Sequence, residues 1–173
     1  MTAVDGLARG DARESFNFEE IARVAADSLA EIASPRLRHL YQWWSSFAPA
    51  LPRRGDFDIA QHWSIAANIF LVEVEAPGSF VVRVRGEEAS RIVGDSTRNL
   101  PIRADGTQDF ERDTAAYYQR IVEERRAMRC HGSLEFDDRA FANFESIDCP
   151  LIGDGDTVRF IVGAMDTEGR STR

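Results

Sequence analysis

The side chains best suited to chemistry lie in two apolar segments near the end of the chain, Met128–Phe136 and Phe141–Ile152, which we interpret as neighbouring strands. A tight turn between them pairs Gly132 with Glu145 and places Asn143 on the same face. That face is otherwise mostly apolar, so we expect helices to cover it, and a covered carboxylate is costly unless it is paired. Asn143 and Glu145 are therefore predicted to contact a ligand. A pairing shifted by one residue would instead turn both side chains outward.

The two cysteines, Cys130 and Cys149, fit neither a metal-site spacing nor a CxxC motif. The predicted pairing makes them diagonal neighbours on the same covered face, so Cys130 joins Gly132 in the predicted ligand site. A disulfide between them is geometrically conceivable. In a reducing compartment we expect two reduced core residues instead.

The sequence contains few other residues that could act in catalysis. None of the three histidines, His39, His62 and His131, has an acid or a nucleophile at motif spacing. The segment 153–156 (GDGD) lacks the remaining ligands of a calcium or phosphate loop, so we interpret it as a hairpin turn. We predict that the protein is not an enzyme, and a strongly perturbed carboxylate in a polar pocket would argue against that prediction.

The positions of the strands and helices that carry these residues can be predicted from the sequence pattern. Two β-branched runs on either side of Pro77-Gly78 predict a hairpin starting at about Ile69, and Glu87–Val93 predicts a helix. Asp109–Met128 predicts the longest helix, and Thr157–Met165 the last strand.

Two further helices are predicted near the N-terminus. Ser34-Pro35 is a strong helix start, and Trp44 lies on the apolar stripe of the helix that follows. Residues 15–33 carry apolar side chains at helical spacing, which predicts an amphipathic helix that packs on its own domain or dimerises.

These elements predict an α+β domain with a five-stranded antiparallel sheet, helices on one face and flanking N-terminal helices. Residues 34–166 form the domain in this interpretation. Residues 1–14 are polar and small and are predicted to be a disordered tail, and residues 167–173 a loose tail.

The composition of the chain argues against some classes of function. The net charge is −8 and the isoelectric point about 4.9, and an acidic domain repels phosphate backbones, so we expect no nucleic-acid partner. No apolar run approaches the roughly 20 residues of a membrane helix, and residues 1–15 have no apolar secretion signal. We therefore expect a cytoplasmic protein without a membrane span.

Several short motifs follow one another along residues 35–165. They are Pro35-Arg36-Leu37, Tyr41-Gln42-Trp43-Trp44, Arg54-Gly55-Asp56-Phe57-Asp58, Phe70-Leu71-Val72-Glu73-Val74, Phe80-Val81-Val82-Arg83 with Gly86, and Cys149-Pro150-Leu151 before Gly153-Asp154-Gly155. In this order the motifs resemble those of a PAS-like family of alphaproteobacteria once catalogued as a domain of unknown function. Two departures are Ile59-Ala60, where the family usually has proline, and the loop with Gly94, Thr97 and Arg98, which lacks a family glycine.

The resemblance implies a PAS fold and a sensory or interaction module rather than an enzyme. Haem-binding relatives usually carry a histidine on the long middle helix and flavin-binding ones a cysteine motif, and this chain has neither, so no cofactor is identified. In the leading interpretation the domain binds a small ligand, with Trp44 as another candidate contact, and acts as a homodimer or on a partner signalling protein. In the alternative, bulky side chains fill the core and the domain is a protein-interaction or dimerisation module without a ligand.

Overall fold

The structure is a computed structural model that describes residues 18–93, 101–136 and 140–167. Seven strands form one antiparallel sheet. The strands are β1 (Phe18–Ala25), β2 (Ile69–Ala76), β3 (Ser79–Arg85), β4 (Pro101–Arg103), β5 (Met128–Phe136), β6 (Ala140–Ile152) and β7 (Val158–Thr167).

The order of the strands across the sheet is β1-β5-β6-β7-β2-β3-β4. Its five central members are the predicted hairpin and the predicted three-stranded meander. The predicted count of five is wrong because β1 and β4 extend the two edges. Gly78, at a φ of 71°, closes the β2–β3 turn in a conformation that glycine adopts without strain.

The N-terminal segment is a strand, not the amphipathic helix predicted for residues 15–33. β1 pairs antiparallel with β5, from Phe18 opposite Leu134 to Ala25 opposite Met128. A bulge between Glu19 and Ala22 shifts its register, so apolar spacing that suits a helix also suits an interrupted strand. Pairing with β5 decided between the two, and the dimerisation-helix interpretation falls with the helix.

The helices lie close to their predicted positions. They are α1 (Pro35–Ser45), α2 (Glu87–Val93) and α3 (Asp109–Glu124). The Ser34 hydroxyl accepts hydrogen bonds from the backbone N–H groups of Arg36 and Leu37, as expected for a helix cap. α3 ends earlier than predicted, because Arg125 adopts a left-handed conformation with a φ of 53°. The segment 59–68 is a 3₁₀ helix kinked at His62.

Helices cover both faces of the sheet, so the prediction of helices on one face is wrong. On the face that we call the cavity face, Phe70, Phe144 and Ile161 share a core with α2 and α3. On the opposite face, the α1 face, Leu71, Ile147 and their neighbours share a second core with α1.

The register of β5 and β6 differs by one residue from the predicted one. Glu145 lies opposite His131 rather than Gly132, and Gly132 lies opposite Phe144. The faces of β6 are therefore exchanged relative to β5. Cys130 and Cys149 consequently lie on opposite faces, in different cores, as free buried thiols.

The predicted tails fall almost entirely outside the described residues, apart from Thr167, which ends β7. Within the described ranges, no helix has both the length and the apolar character needed to cross a bilayer.

Candidate functional site

A cavity of about 540 Å³ lies between the cavity face of the sheet and α3. α2 and β4 close its far side, and β1 contributes to its near side. Most of its wall is apolar, from side chains on both the sheet and the helices. Examples are Ile21, Phe70, Val82, Ala89, Ile102, Phe110 and Met165.

Polar groups enter the cavity along one row that crosses four strands. Arg23 of β1 lies opposite Cys130 of β5, Cys130 opposite Ser146 of β6, and Ser146 opposite Met165 of β7. All of them line the cavity, because residues directly opposite one another in a sheet point to the same side. The row starts with a charged side chain on β1 and ends with an apolar one on β7.

The helix α3 forms the opposite wall with residues spaced at i, i+3 and i+4. Thr114, Tyr117 and Tyr118 are buried on this side and line the cavity. The Thr114 hydroxyl bonds to the backbone carbonyl of Phe110 within the helix. Of these groups, the two tyrosines bring the larger polar surfaces to the cavity.

A buried carboxyl group, Asp148, lies at the base of the cavity and is only 1% exposed. Its Oδ2 accepts hydrogen bonds from the Tyr117 hydroxyl at 2.7 Å and the Ser146 hydroxyl at 2.9 Å. Burial raises the pKa of Asp148 to about 6, against the two hydroxyl donors and the charge of Arg23, which lower it. The group therefore titrates close to neutral pH.

The thiol and the two phenol groups that line the cavity are held in their neutral forms. Burial, reinforced by the nearby Asp148 charge, raises the pKa of Cys130 to about 12. The same two causes raise the pKa values of Tyr117 and Tyr118. A thiol that stays protonated is a poor nucleophile, so these groups suit hydrogen bonding better than covalent chemistry.

Arg23 brings a positive charge to the cavity. Its guanidinium lies over the ring of Tyr117, 5.1 Å from the centroid, and its Nη1 donates to the backbone carbonyl of Asp113 at 3.3 Å. Its Nε is buried without a hydrogen-bond partner within the described residues.

A profile of the PAS domain family matches residues 32–166 of the 173-residue chain. The chain belongs to the PAS domain family. The matched segment contains α1–α3, β2–β6, all of β7 but Thr167, and every cavity residue except those of β1.

Two solved structures are similar to this PAS domain. The LOV protein of Rhodobacter sphaeroides is 15% identical, with a TM-score of 0.43, over 67% of this chain and 71% of the other. An RNA-binding light-oxygen-voltage receptor is 12% identical, with a TM-score of 0.44, over 86% of this chain and 38% of the other. No curated protein matches the sequence.

Of the five predicted site residues, Cys130 is the one that lines the cavity of the PAS domain. Gly132 lies further along β5, opposite Phe144. Asn143 is exposed. Trp44 belongs to α1 on the other side of the sheet, where its Nε1 donates to the Pro150 carbonyl at 2.9 Å. Its role there is to join α1 to β6.

Glu145 is buried, as predicted, but it faces α1 rather than the cavity. Its carboxylate accepts hydrogen bonds from the backbone N–H groups of Ala33 and Ser34 at 2.9–3.1 Å. Arg129 of β5 donates its Nε to the same carboxylate at 2.6 Å. Glu145 therefore ties the start of α1 to the sheet.

The residues that sequence reasoning missed are Arg23, Tyr117, Ser146 and Asp148. The parity of β6 contained the signal for two of them, because a register one residue different turns Ser146 and Asp148 inward. Arg23 was placed on a helix, so its position opposite Cys130 had no counterpart in the prediction.

Proposed function

We propose that this PAS domain is a sensory or regulatory module that binds a small molecule in the cavity between α3 and the sheet. The observation that carries the proposal is the cavity itself, at about 540 Å³. Pockets for drug-sized ligands have volumes of about 300–1,000 Å³, with apolar walls and a few polar groups. The apolar wall, the Arg23 guanidinium and the buried Asp148 match that description.

The cavity favours ligand binding over the alternative of an interaction module with a filled core. Closing the space would need larger side chains than the Ala89, Thr114 and Ser146 that line it. Small side chains around a hollow suit an occupant that the chain does not itself supply. Occupancy would then act on a second copy of the domain or on a partner signalling protein.

The polar groups support binding rather than turnover. Asp148 is a perturbed carboxyl group in a pocket, which is also a feature of enzyme active sites. Its Oδ2 is already engaged by Tyr117 and Ser146, and the neighbouring Cys130 thiol is protonated at neutral pH. A general base would lack an activated nucleophile beside it.

Native mass spectrometry of freshly purified protein, compared with the denatured mass, tests the proposal. We expect a discrete non-covalent adduct in the wild-type protein. Two variants that fill the cavity from opposite walls, Ala89→Phe and Cys130→Phe, should lose the adduct while they retain a cooperative melting transition.

An adduct that survives both substitutions would place the ligand elsewhere and contradict the proposal. Incubation at pH 7 followed by a second determination of the adduct mass checks for turnover. An unchanged ligand mass is expected of a binding module.

A further inference from the structure

We infer that the ligand is an amphipathic carboxylate whose anionic head binds Arg23 and whose apolar body occupies the space under α3. This inference rests on the proposed ligand-binding function and names the class of ligand. It assigns the recognition of the ligand to β1, which lies outside the family match at residues 32–166.

Arg23 makes few of the hydrogen bonds that its guanidinium allows. A guanidinium carries five N–H donors, and the partner that the structure shows for Arg23 is the Asp113 backbone carbonyl. Its Nε is buried without a partner, and Arg23 forms no salt bridge within the described ranges. Its cross-strand neighbour Cys130 offers a thiol, which is a weak acceptor.

Two contacts position the guanidinium. Its Cζ lies over the Tyr117 ring, 5.1 Å from the centroid, and its Nη1 donates to the Asp113 backbone carbonyl on α3 at 3.3 Å. A planar, pre-oriented guanidinium with unused donors is suited to a carboxylate, which it binds through two parallel hydrogen bonds.

Three other charged side chains line the cavity, Asp148, Glu111 and Arg85. The Asp148 carboxylate already accepts two hydroxyl donors. Glu111 accepts the backbone N–H of Arg103 at 3.2 Å, at the β4 side of the cavity. Arg85, on β3, adds a second positive charge to the wall. Neither carboxylate pairs with Arg23, so an anion from outside can.

The apolar part of the cavity wall suits the body of the ligand. It includes Phe70, Val82 and Phe110, and Met165 at the β7 end of the row. Gly163 leaves room for the Phe70 ring, which a side chain at this position would contact too closely. The ring therefore lies against β7 and leaves the space above it to an apolar group.

A competition assay with two matched ligands tests whether the ligand is an amphipathic carboxylate. The neutral dye N-phenyl-1-naphthylamine reports on the apolar cavity by its fluorescence. Naphthalene-1-acetate and naphthalene-1-acetamide then compete for it, and these competitors differ in charge but share one apolar body. Charge-assisted hydrogen bonds are about twice as strong as neutral ones, so we expect the acetate to bind about tenfold or more tightly than the amide.

Substitution of Arg23 tests whether this residue causes the difference in affinity between the acetate and the amide. In Arg23→Met the acetate should lose its advantage, while dye affinity changes less than about twofold. Arg120→Met, which removes an equal charge from the exposed side of α3, should leave the advantage intact. If Arg23→Met melts at a lower temperature, Arg23→Gln provides a second variant that keeps a polar side chain.

The outcomes separate the inference from the proposed function. Dye binding that Ala89→Phe blocks would support the cavity function. If in that case the acetate and the amide bind equally, or if Arg23→Met leaves the ratio of their affinities unchanged, then the ligand class is wrong and the cavity function stands. If the wild-type protein binds neither the dye nor the acetate, or if Ala89→Phe changes nothing, then both proposals are overturned.

Discussion

Glu145 and Asp148 lie three residues apart on β6 and point to opposite faces of the same sheet. Both are buried, at 3% and 1% exposure, but their surroundings differ. Glu145 accepts from two backbone N–H groups and from a guanidinium, whereas Asp148 accepts from two hydroxyl groups beside a cavity. The α1 face thus uses its carboxylate as a structural tie, and the cavity face keeps one that titrates near neutral pH.

The two faces also differ in how completely they are filled. On the α1 face, Ile32 and two residues of α1, Leu37 and Leu40, are fully buried in one core with the sheet. On the cavity face the helix α3 stands over open volume. A single sheet can therefore be anchored on one face while the other borders a cavity.

The largest effect that separates the two faces is expected from Glu145→Ala. Loss of one partner of a buried ion pair typically costs about 3–5 kcal/mol, and this change also leaves the N–H groups of Ala33 and Ser34 without their acceptor. We expect the free energy of unfolding, measured by urea denaturation, to fall by about 3 kcal/mol or more.

The matched control is Asp154→Ala, an exposed carboxylate in the β6–β7 turn. Its effect should stay within about 0.5 kcal/mol. A loss below about 1 kcal/mol for Glu145→Ala would contradict the structural role that we assign to the carboxylate.

The next effect belongs to the cavity face and depends on pH. The pKa of Asp148 is raised to about 6 in the folded protein, above the value of about 3.9 in an unfolded chain. The folded state therefore holds this proton more tightly, so the stability contributed by Asp148 is complete below about pH 4 and is lost as the pH rises through 6. The groups that face it are Arg23, Tyr117, Cys130 and Ser146.

Asp148→Asn removes this titration and keeps an acceptor for the two hydroxyl groups. Between pH 4 and 7 the wild-type protein should lose roughly 2–3 kcal/mol of unfolding free energy relative to the variant. Urea denaturation at several pH values measures the difference. Parallel stability curves for the two proteins would show that Asp148 does not titrate as stated.

The smallest effect is on the α1 side and has the opposite sign. His62 is buried and stacks on Phe57, and its Nδ1 lies 3.1 Å from Nε2 of His39. Burial, and then the charge of His39, lower its pKa, while Asp58 opposes them. The stability from neutral His62 is therefore present above about pH 6.5 and is lost as the pH falls.

His62→Phe keeps an aromatic ring and removes the titration. Relative to this variant, the wild-type protein should lose unfolding free energy as the pH falls from 7 to 5. Thermal melts across that range measure the trend, and the double variant with Asp148→Asn isolates it from the cavity face. A wild-type protein that gains stability on acidification relative to His62→Phe would refute the assignment.

Local sequence determined much of the fold. Ser34 capped the helix that Pro35 begins, Pro77-Gly78 closed a hairpin, and Glu87–Val93 formed the predicted helix. The PAS family was also recognisable from sequence, from several short motifs in order along residues 35–165. These features depend on neighbours along the chain, where propensity and spacing are informative.

The candidate site depended on contacts between distant segments, and there the sequence was insufficient. A shift of one residue in the β5–β6 register exchanged Glu145 for Ser146 and Asp148 on the cavity face. The apolar side chains within residues 18–25 have a spacing that suits either a helix or a bulged strand. Pairing with the edge of β5 selected the strand. The spacing of apolar residues alone cannot determine the register of a strand or its pairing at the edge of a sheet, since both depend on which partner strand is present. The tertiary structure therefore decided which carboxylate meets the cavity and brought Arg23 beside it.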